Sequence, residues 1–102
     1  MENKHFIGEH LYLVYPYTGT KNPYTIIGFK GEKIIVQEAE CIFPYPRYFD
    51  TLPDKIVENP NGEIVTLFQS KSKAYKGCWV DKGGSYPHIA VFGRWDYEPY
   101  LD

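Results

Sequence analysis

The chain lacks most of the signals that would make a function legible at once. No apolar run approaches the roughly 20 residues that a membrane-crossing helix needs. Met1 to His10 carry no apolar stretch behind a basic start, so no secretory leader is read there and a cytoplasmic location is expected. Alanine, the strongest helix former, occurs only at Ala39, Ala74 and Ala90. No window of useful length places apolar residues at i, i+3, i+4 and i+7. An α-helical fold is therefore not expected. The only cysteines are Cys41 and Cys78, with no C-x-x-C pair. Without a leader they read as free structural thiols rather than a disulfide.

Charge of either sign is also missing in bulk. Eleven Lys and Arg face thirteen Asp and Glu, for a net charge of −2. Wholesale phosphate binding wants a clear basic excess, and DNA mimicry a much larger acidic one. Local patches are left open. Catalytic motifs are absent too. No G-x-S-x-G elbow occurs, and neither cysteine sits beside a base in a recognisable arrangement. Glu38 and Glu40, two apart on a strand, share a face and read as a solvated one. Lys82-Gly83-Gly84-Ser85 has the glycines of a phosphate cradle but no following helix pattern, so it reads as a turn. His5, His10, His88, Cys41 and Cys78 are too scattered for a zinc site. No enzyme, metal or cofactor is expected.

Aromatic residues are present in excess. Ten Tyr, six Phe and two Trp make up 18% of the 102 residues, and hydrophobic residues 43%. Aromatics favour strands, and Tyr also dominates interfaces. Short apolar runs punctuated by Gly, Pro and Asn give a mostly-β single domain over residues 1–102. About six to seven short strands form either a small SH3-like barrel or a compact antiparallel β-sandwich.

Leu11 to Tyr15 is the first expected strand. Tyr24 to Phe29 and Lys33 to Phe43 form a hairpin through Lys30-Gly31-Glu32. The third strand turns polar at Gln37, Glu38 and Glu40, and a bulge or bend there would reconcile its pattern. Lys55 to Glu58 and Glu63 to Gln69 read as a second hairpin across Asn59-Pro60-Asn61-Gly62. Cys78 to Lys82 and His88 to Trp95 read as a last pair.

Two segments stand out as binding surfaces. Pro44 to Pro53 holds three prolines, which forbid a central strand, together with Tyr45, Arg47, Tyr48 and Phe49. It reads as an ordered loop that packs or binds. Tyr and Arg are favoured hot-spot types, and a pre-ordered loop loses less entropy on docking. The acidic, aromatic tail 96–102 contributes Tyr97 and Tyr100, preceded by Trp95. That tail either binds a partner or folds back to cap the barrel. A separate lysine-aromatic cluster, Lys71, Lys73, Tyr75, Lys76 and Trp79, suits single-stranded nucleic acid on a small β-barrel. A third alternative is an enzyme or small-ligand binder with a cleft that the sequence does not display.

Two stretches carry a resemblance. One is Tyr24-Thr25-Ile26-Ile27 through Ile34-Ile35-Val36. The other is Asn59-Pro60-Asn61-Gly62-Glu63-Ile64-Val65-Thr66-Leu67, followed by Phe92-Gly93-Arg94 and Tyr97-Glu98-Pro99-Tyr100-Leu101. Together they resemble a group of small proteins from phages, plasmids and other mobile elements of low-GC Gram-positive bacteria. The Pro44–Pro53 segment departs from that group's pattern. The resemblance transfers no activity and no functional residue. It implies a setting, in which a small protein binds and inhibits or modulates a host protein, an anti-CRISPR or other anti-defence inhibitor among them. Host protein is the expected partner, nucleic acid the alternative, membrane none, with a homodimer open.

Overall fold

The protein is described by a computed structural model covering residues 4–48, 50–84 and 86–99. Eight strands and no helix occur among these residues: β1 (His10–Tyr15), β2 (Thr20–Lys30), β3 (Lys33–Glu38), β4 (Glu40–Ile42), β5 (Lys55–Val57), β6 (Ile64–Gln69), β7 (Trp79–Val80) and β8 (Ile89–Phe92). Six of them close into an antiparallel barrel in the order β1-β2-β3-β6-β7-β8, with β8 returning to β1. Of the two expected architectures, the barrel is the one formed. Strands β4 and β5 stand apart as a two-stranded ribbon inserted between β3 and β6.

Strand alternation explains the core. Leu11 and Leu13 of β1, Tyr24 and Ile26 of β2, Ile34 and Val36 of β3 and Leu67 of β6 form one buried cluster. Each pair is two residues apart, as one face of a pleat requires. Val65 of β6, Trp79 of β7 and Ala90 and Phe92 of β8 pack against that cluster. Burial of each large aliphatic side chain contributes about 1.5–3 kcal/mol before entropy is counted. The membrane reading stands only as far as helices go: none among the described residues is long and apolar enough to span a bilayer.

The structure changes three details of the sequence reading. The bulge lies in β2, at Ile27 between the pairs Ile26↔Val36 and Gly28↔Ile35, and not in the third strand. The extra residue leaves Ile26 fully buried while Ile27 faces outward. The long third strand instead breaks at the buried Ala39, whose N–H is drawn to the Pro23 carbonyl at 2.9 Å. Residues Lys55–Val57 pair with β4 and not with β6, so the expected second hairpin does not form. β6 pairs with β3.

The Asn59–Gly62 turn is then a corner that hands the chain back to the barrel. Gln37 Nε2 donates to the Pro60 and Gly62 carbonyls at 2.9 and 3.1 Å, and the Glu38 N–H donates to the Glu63 carbonyl at 2.8 Å. The fit is so close at Gly62 that a Cβ there would run into the Glu38 backbone oxygen. Gly62→Ala should cost about 1–3 kcal/mol, the usual penalty for forcing atoms into filled space. Chemical denaturation of the variant checks this, and an unchanged midpoint would show that the corner gives way freely.

Candidate functional site

The β4–β5 ribbon carries the Pro/aromatic loop at its tip. The Asp54 N–H donates to the Ile42 carbonyl at 2.7 Å, closing the base of the loop beyond the last paired strand residues. Within it the Tyr48 N–H donates to Thr51 Oγ1 at 2.7 Å, and the Thr51 N–H returns a bond to the Tyr48 carbonyl at 3.1 Å. The Tyr45–Pro46 peptide is cis. The loop is thus locally bonded, yet its large side chains lie outside. Tyr45 is 98% exposed, Tyr48 65% and Leu52 61%. Phe49 lies outside the described residues.

Phe43, just beyond β4, joins this tip to the C-terminal segment. The Arg47 guanidinium carbon sits 3.5 Å from the centre of its ring, and Tyr97 packs edge-on against it with ring centres 5.4 Å apart. The loop and the C-terminal segment, separate in sequence, therefore meet at Phe43. An isolated two-stranded ribbon is marginal in water, and this junction is what ties it to the fold.

The C-terminal segment itself folds back on the barrel. Lys21 and Glu98 form an antiparallel bridge with reciprocal backbone bonds of 3.0 Å. Asp96 reaches Lys21 Nζ at 3.4 Å and Arg94 at 3.7 Å. Both cations lie over the Tyr12 ring. Trp95 donates from Nε1 to the Tyr24 carbonyl at 2.9 Å and stacks on His10 with ring centres 3.6 Å apart and planes 9° from parallel. Trp95 and Tyr97, expected to contact a partner, are half-buried and engaged within the chain. Tyr100 lies outside the described residues.

The lysine-aromatic cluster is divided. Lys71, Lys73 and Lys76 are exposed on the loop between β6 and β7. Trp79 turns toward the barrel interior, packed on the core and edge-on to His5. Tyr75 is half-buried and shares a small cleft with Tyr15, Tyr17 and Tyr86. Sequence reasoning missed these last three because they come from two segments far apart in the chain, the end of β1 with its turn and the stretch before β8.

Titratable groups gather where β2 meets β3. Tyr24 and Glu38 are cross-strand partners, and Glu63 lies close by. Burial, followed by the charge of Glu63, raises the Glu38 carboxyl above its ordinary value, against a bond from the Tyr24 hydroxyl that lowers it. Burial first, then the carboxylates of Glu38, Glu63 and Asp81, raise the Tyr24 phenol. Glu38 therefore belongs with Tyr24 and Glu63 and not with the exposed Glu40. Cys41 and Cys78 are free and half-buried, and burial pushes the Cys41 thiol up, away from the thiolate that nucleophilic chemistry uses. Among the described residues, no three His, Cys, Asp or Glu side chains are placed to hold a metal ion.

Two expectations follow. Trp95→Ala removes a stack and a hydrogen bond together, and should lower stability by about 2–4 kcal/mol, whereas Tyr45→Ala should stay within about 0.5 kcal/mol of wild type. Thermal denaturation separates the two; equal midpoints would mean the tail is not docked. Glu38, with its folded value raised, contributes stability below the ordinary carboxylate range that is lost as pH rises through the folded value. Glu38→Gln should raise the denaturation midpoint near pH 7 and leave it unchanged near pH 3, where the wild-type carboxyl is already protonated. A lower midpoint near pH 7 would show that the bond from Tyr24 outweighs burial and repulsion.

Comparison of the chain with protein-family models, curated protein sequences and solved structures finds no match.

Proposed function

We propose that this domain is a non-catalytic binding protein that occupies a surface of a partner protein with its β4–β5 ribbon. One observation carries the reading: an internally bonded loop holds Tyr45, Tyr48 and Leu52 out in solvent at 98%, 65% and 61% exposure. Burying three such side chains against a partner releases water from apolar surface, and the existing turn reduces the ordering cost. Arg47, spread over Phe43, is positioned at the root of the same surface and supplies the polar contact that hot spots favour. Tyr97 and Trp95 support the ribbon and the tail from behind rather than making the contact.

The mechanism is steric. A preformed projection covers a functional face of its target and requires no chemistry of its own. In the mobile-element setting that the sequence resemblance implies, the target is a host protein in the bacterial cytoplasm and the outcome is inhibition, with anti-defence inhibition the leading form.

A photo-crosslinking residue in place of Tyr45 tests this against the same residue placed at Thr66, which is exposed on the barrel wall. The expected result is a protein adduct from host-type lysate at position 45 alone. The paired change Tyr45→Ala/Tyr48→Ala should weaken binding of the captured protein at least tenfold, about 1.4 kcal/mol, with an unchanged thermal midpoint. Adducts equal at both positions, or undiminished binding by the paired variant, would remove the ribbon from the interface.

A further inference from the structure

A second surface is independent of the ribbon. The turn after β1, the β6–β7 loop and the segment before β8 bring Tyr15, Tyr17, Tyr75, Tyr86, Pro16 and Pro87 around one cleft of about 230 Å³. We infer that this cleft takes single-stranded nucleic acid, with a base stacked among the tyrosines and phosphates held by Lys71, Lys73, Lys76 and Lys82.

The tyrosines are arranged rather than scattered. Tyr15 and Tyr17 have ring centres 6.2 Å apart, and Tyr17 meets Tyr86 edge-on at 5.7 Å. His88 backs Tyr15 at 5.1 Å. The imidazole is held by Asp81, whose carboxylate bonds both the His88 ring at 2.9 Å and its backbone N–H at 2.8 Å. Pro87 is fully buried and provides a fixed floor. Against this support Tyr17 remains 77% exposed and Tyr86 56%. Ring faces left open beside a cleft, on a rigid base, are the features of a stacking platform. A cleft this small lies below the roughly 300–1,000 Å³ of an enclosed ligand site, and suits the entry of one flat ring from a longer molecule.

Charge decides which molecule. The loop that presents Tyr75 also carries Lys71, Lys73 and Lys76, and the turn before Tyr86 carries Lys82. All four are exposed, and none is in an ion pair among the described residues. Asp81, which precedes Lys82, is already engaged by His88. A chain of net charge −2 thus carries four unpaired cations on the two segments that present Tyr75 and Tyr86. Lys71 and Lys76 line a separate groove of about 840 Å³, together with Lys33 and the acid Glu32. A proline-rich peptide would also fit tyrosine and proline walls, but nothing in that ligand answers the lysines. Duplex bases are stacked on each other and unavailable to the rings.

Fluorescence anisotropy with end-labelled single-stranded thymidine and uridine oligonucleotides of about ten residues tests the inference, since a stacking site spans several nucleotides. Binding of at least one is expected, and the tighter of the two identifies DNA or RNA as the source. Four phosphate contacts predict a log–log salt slope of roughly −3. Tyr17→Ala/Tyr86→Ala should weaken binding about tenfold or more, and these exposed positions should leave the thermal midpoint unchanged. Lys71→Ala/Lys73→Ala should flatten the slope by roughly 1.4, and supports the inference even where the tyrosine variant fails to fold. Tyr45→Ala/Tyr48→Ala should bind the oligonucleotides as wild type does, which separates this surface from the ribbon. The inference is overturned by absence of binding to both oligonucleotides, by equal affinity for a duplex, by full affinity in a folded tyrosine variant, or by capture of a labelled proline-rich peptide alone.

Discussion

Closure of β8 onto β1 is the constraint on which the rest of the molecule depends. The pairs Leu11↔Phe92 and Leu13↔Ala90 seal the barrel and remove both of its sheet edges. Closure also fixes where the chain leaves the last strand. The Gly93 N–H bonds the His10 carbonyl at 2.8 Å, so the next residues must cross the mouth of the β1–β2 hairpin. Trp95 then lands on His10 and the Tyr24 carbonyl, and Glu98 lands on Lys21. From there Tyr97 meets Phe43, and Phe43 meets Arg47. The position of the ribbon follows, through this series of contacts, from a pairing at the far end of the sequence.

The tail contains acids and aromatics in the proportions of an interface, and its use within the chain has a physical cause. Lys21 and Arg94 approach one face of Tyr12, which leaves that residue 7% exposed on the outer side of β1. Asp96 holds both cations in place. The tail thus gives Lys21 its carboxylate partner, while Arg94 stays 70% exposed. The ribbon loop differs: Tyr48 and Thr51 bond to each other, and Tyr45, Tyr48 and Leu52 stay largely exposed.

The strands were legible because alternation records which face is buried. Leu11-x-Leu13, Tyr24-x-Ile26 and Ile34-x-Val36 announce the core directly. Alternation does not record which strand lies alongside. Lys55–Val57 has three residues, too few to distinguish β4 from β6 as a partner, and the Pro-Asn-Gly corner is compatible with either path. The deciding facts were long-range: Ala39 bonded to Pro23, and Gln37 gripping the corner. Trp79 and Trp95 could not be assigned from composition, since an indole that stacks on a ligand and one that seals a barrel look alike in sequence. The tyrosine cleft had no local signature because each turn contributes only one or two rings.

The two proposed surfaces make opposite demands on the fold. The ribbon needs exposure, and it stands outside the barrel sheet as two strands of its own, leaving the barrel strands to pair only with their barrel neighbours. The cleft needs fixed separation between rings that come from distant segments, and only closure of the barrel supplies it. Tyr15 ends β1, Tyr86 precedes β8, and the β1–β8 pairing holds those two ends at one distance. Tyr75 is added from a loop whose own ends are tied, by the Ser70 N–H to the Cys78 carbonyl at 2.8 Å and by the Gly77 N–H to the Ser70 carbonyl at 3.0 Å. A loosened barrel would therefore scatter the tyrosines and, by freeing the segment that carries Tyr97, release the ribbon from its contact at Phe43 as well. The corner at Gly62 is where the chain passes from the ribbon back to the barrel.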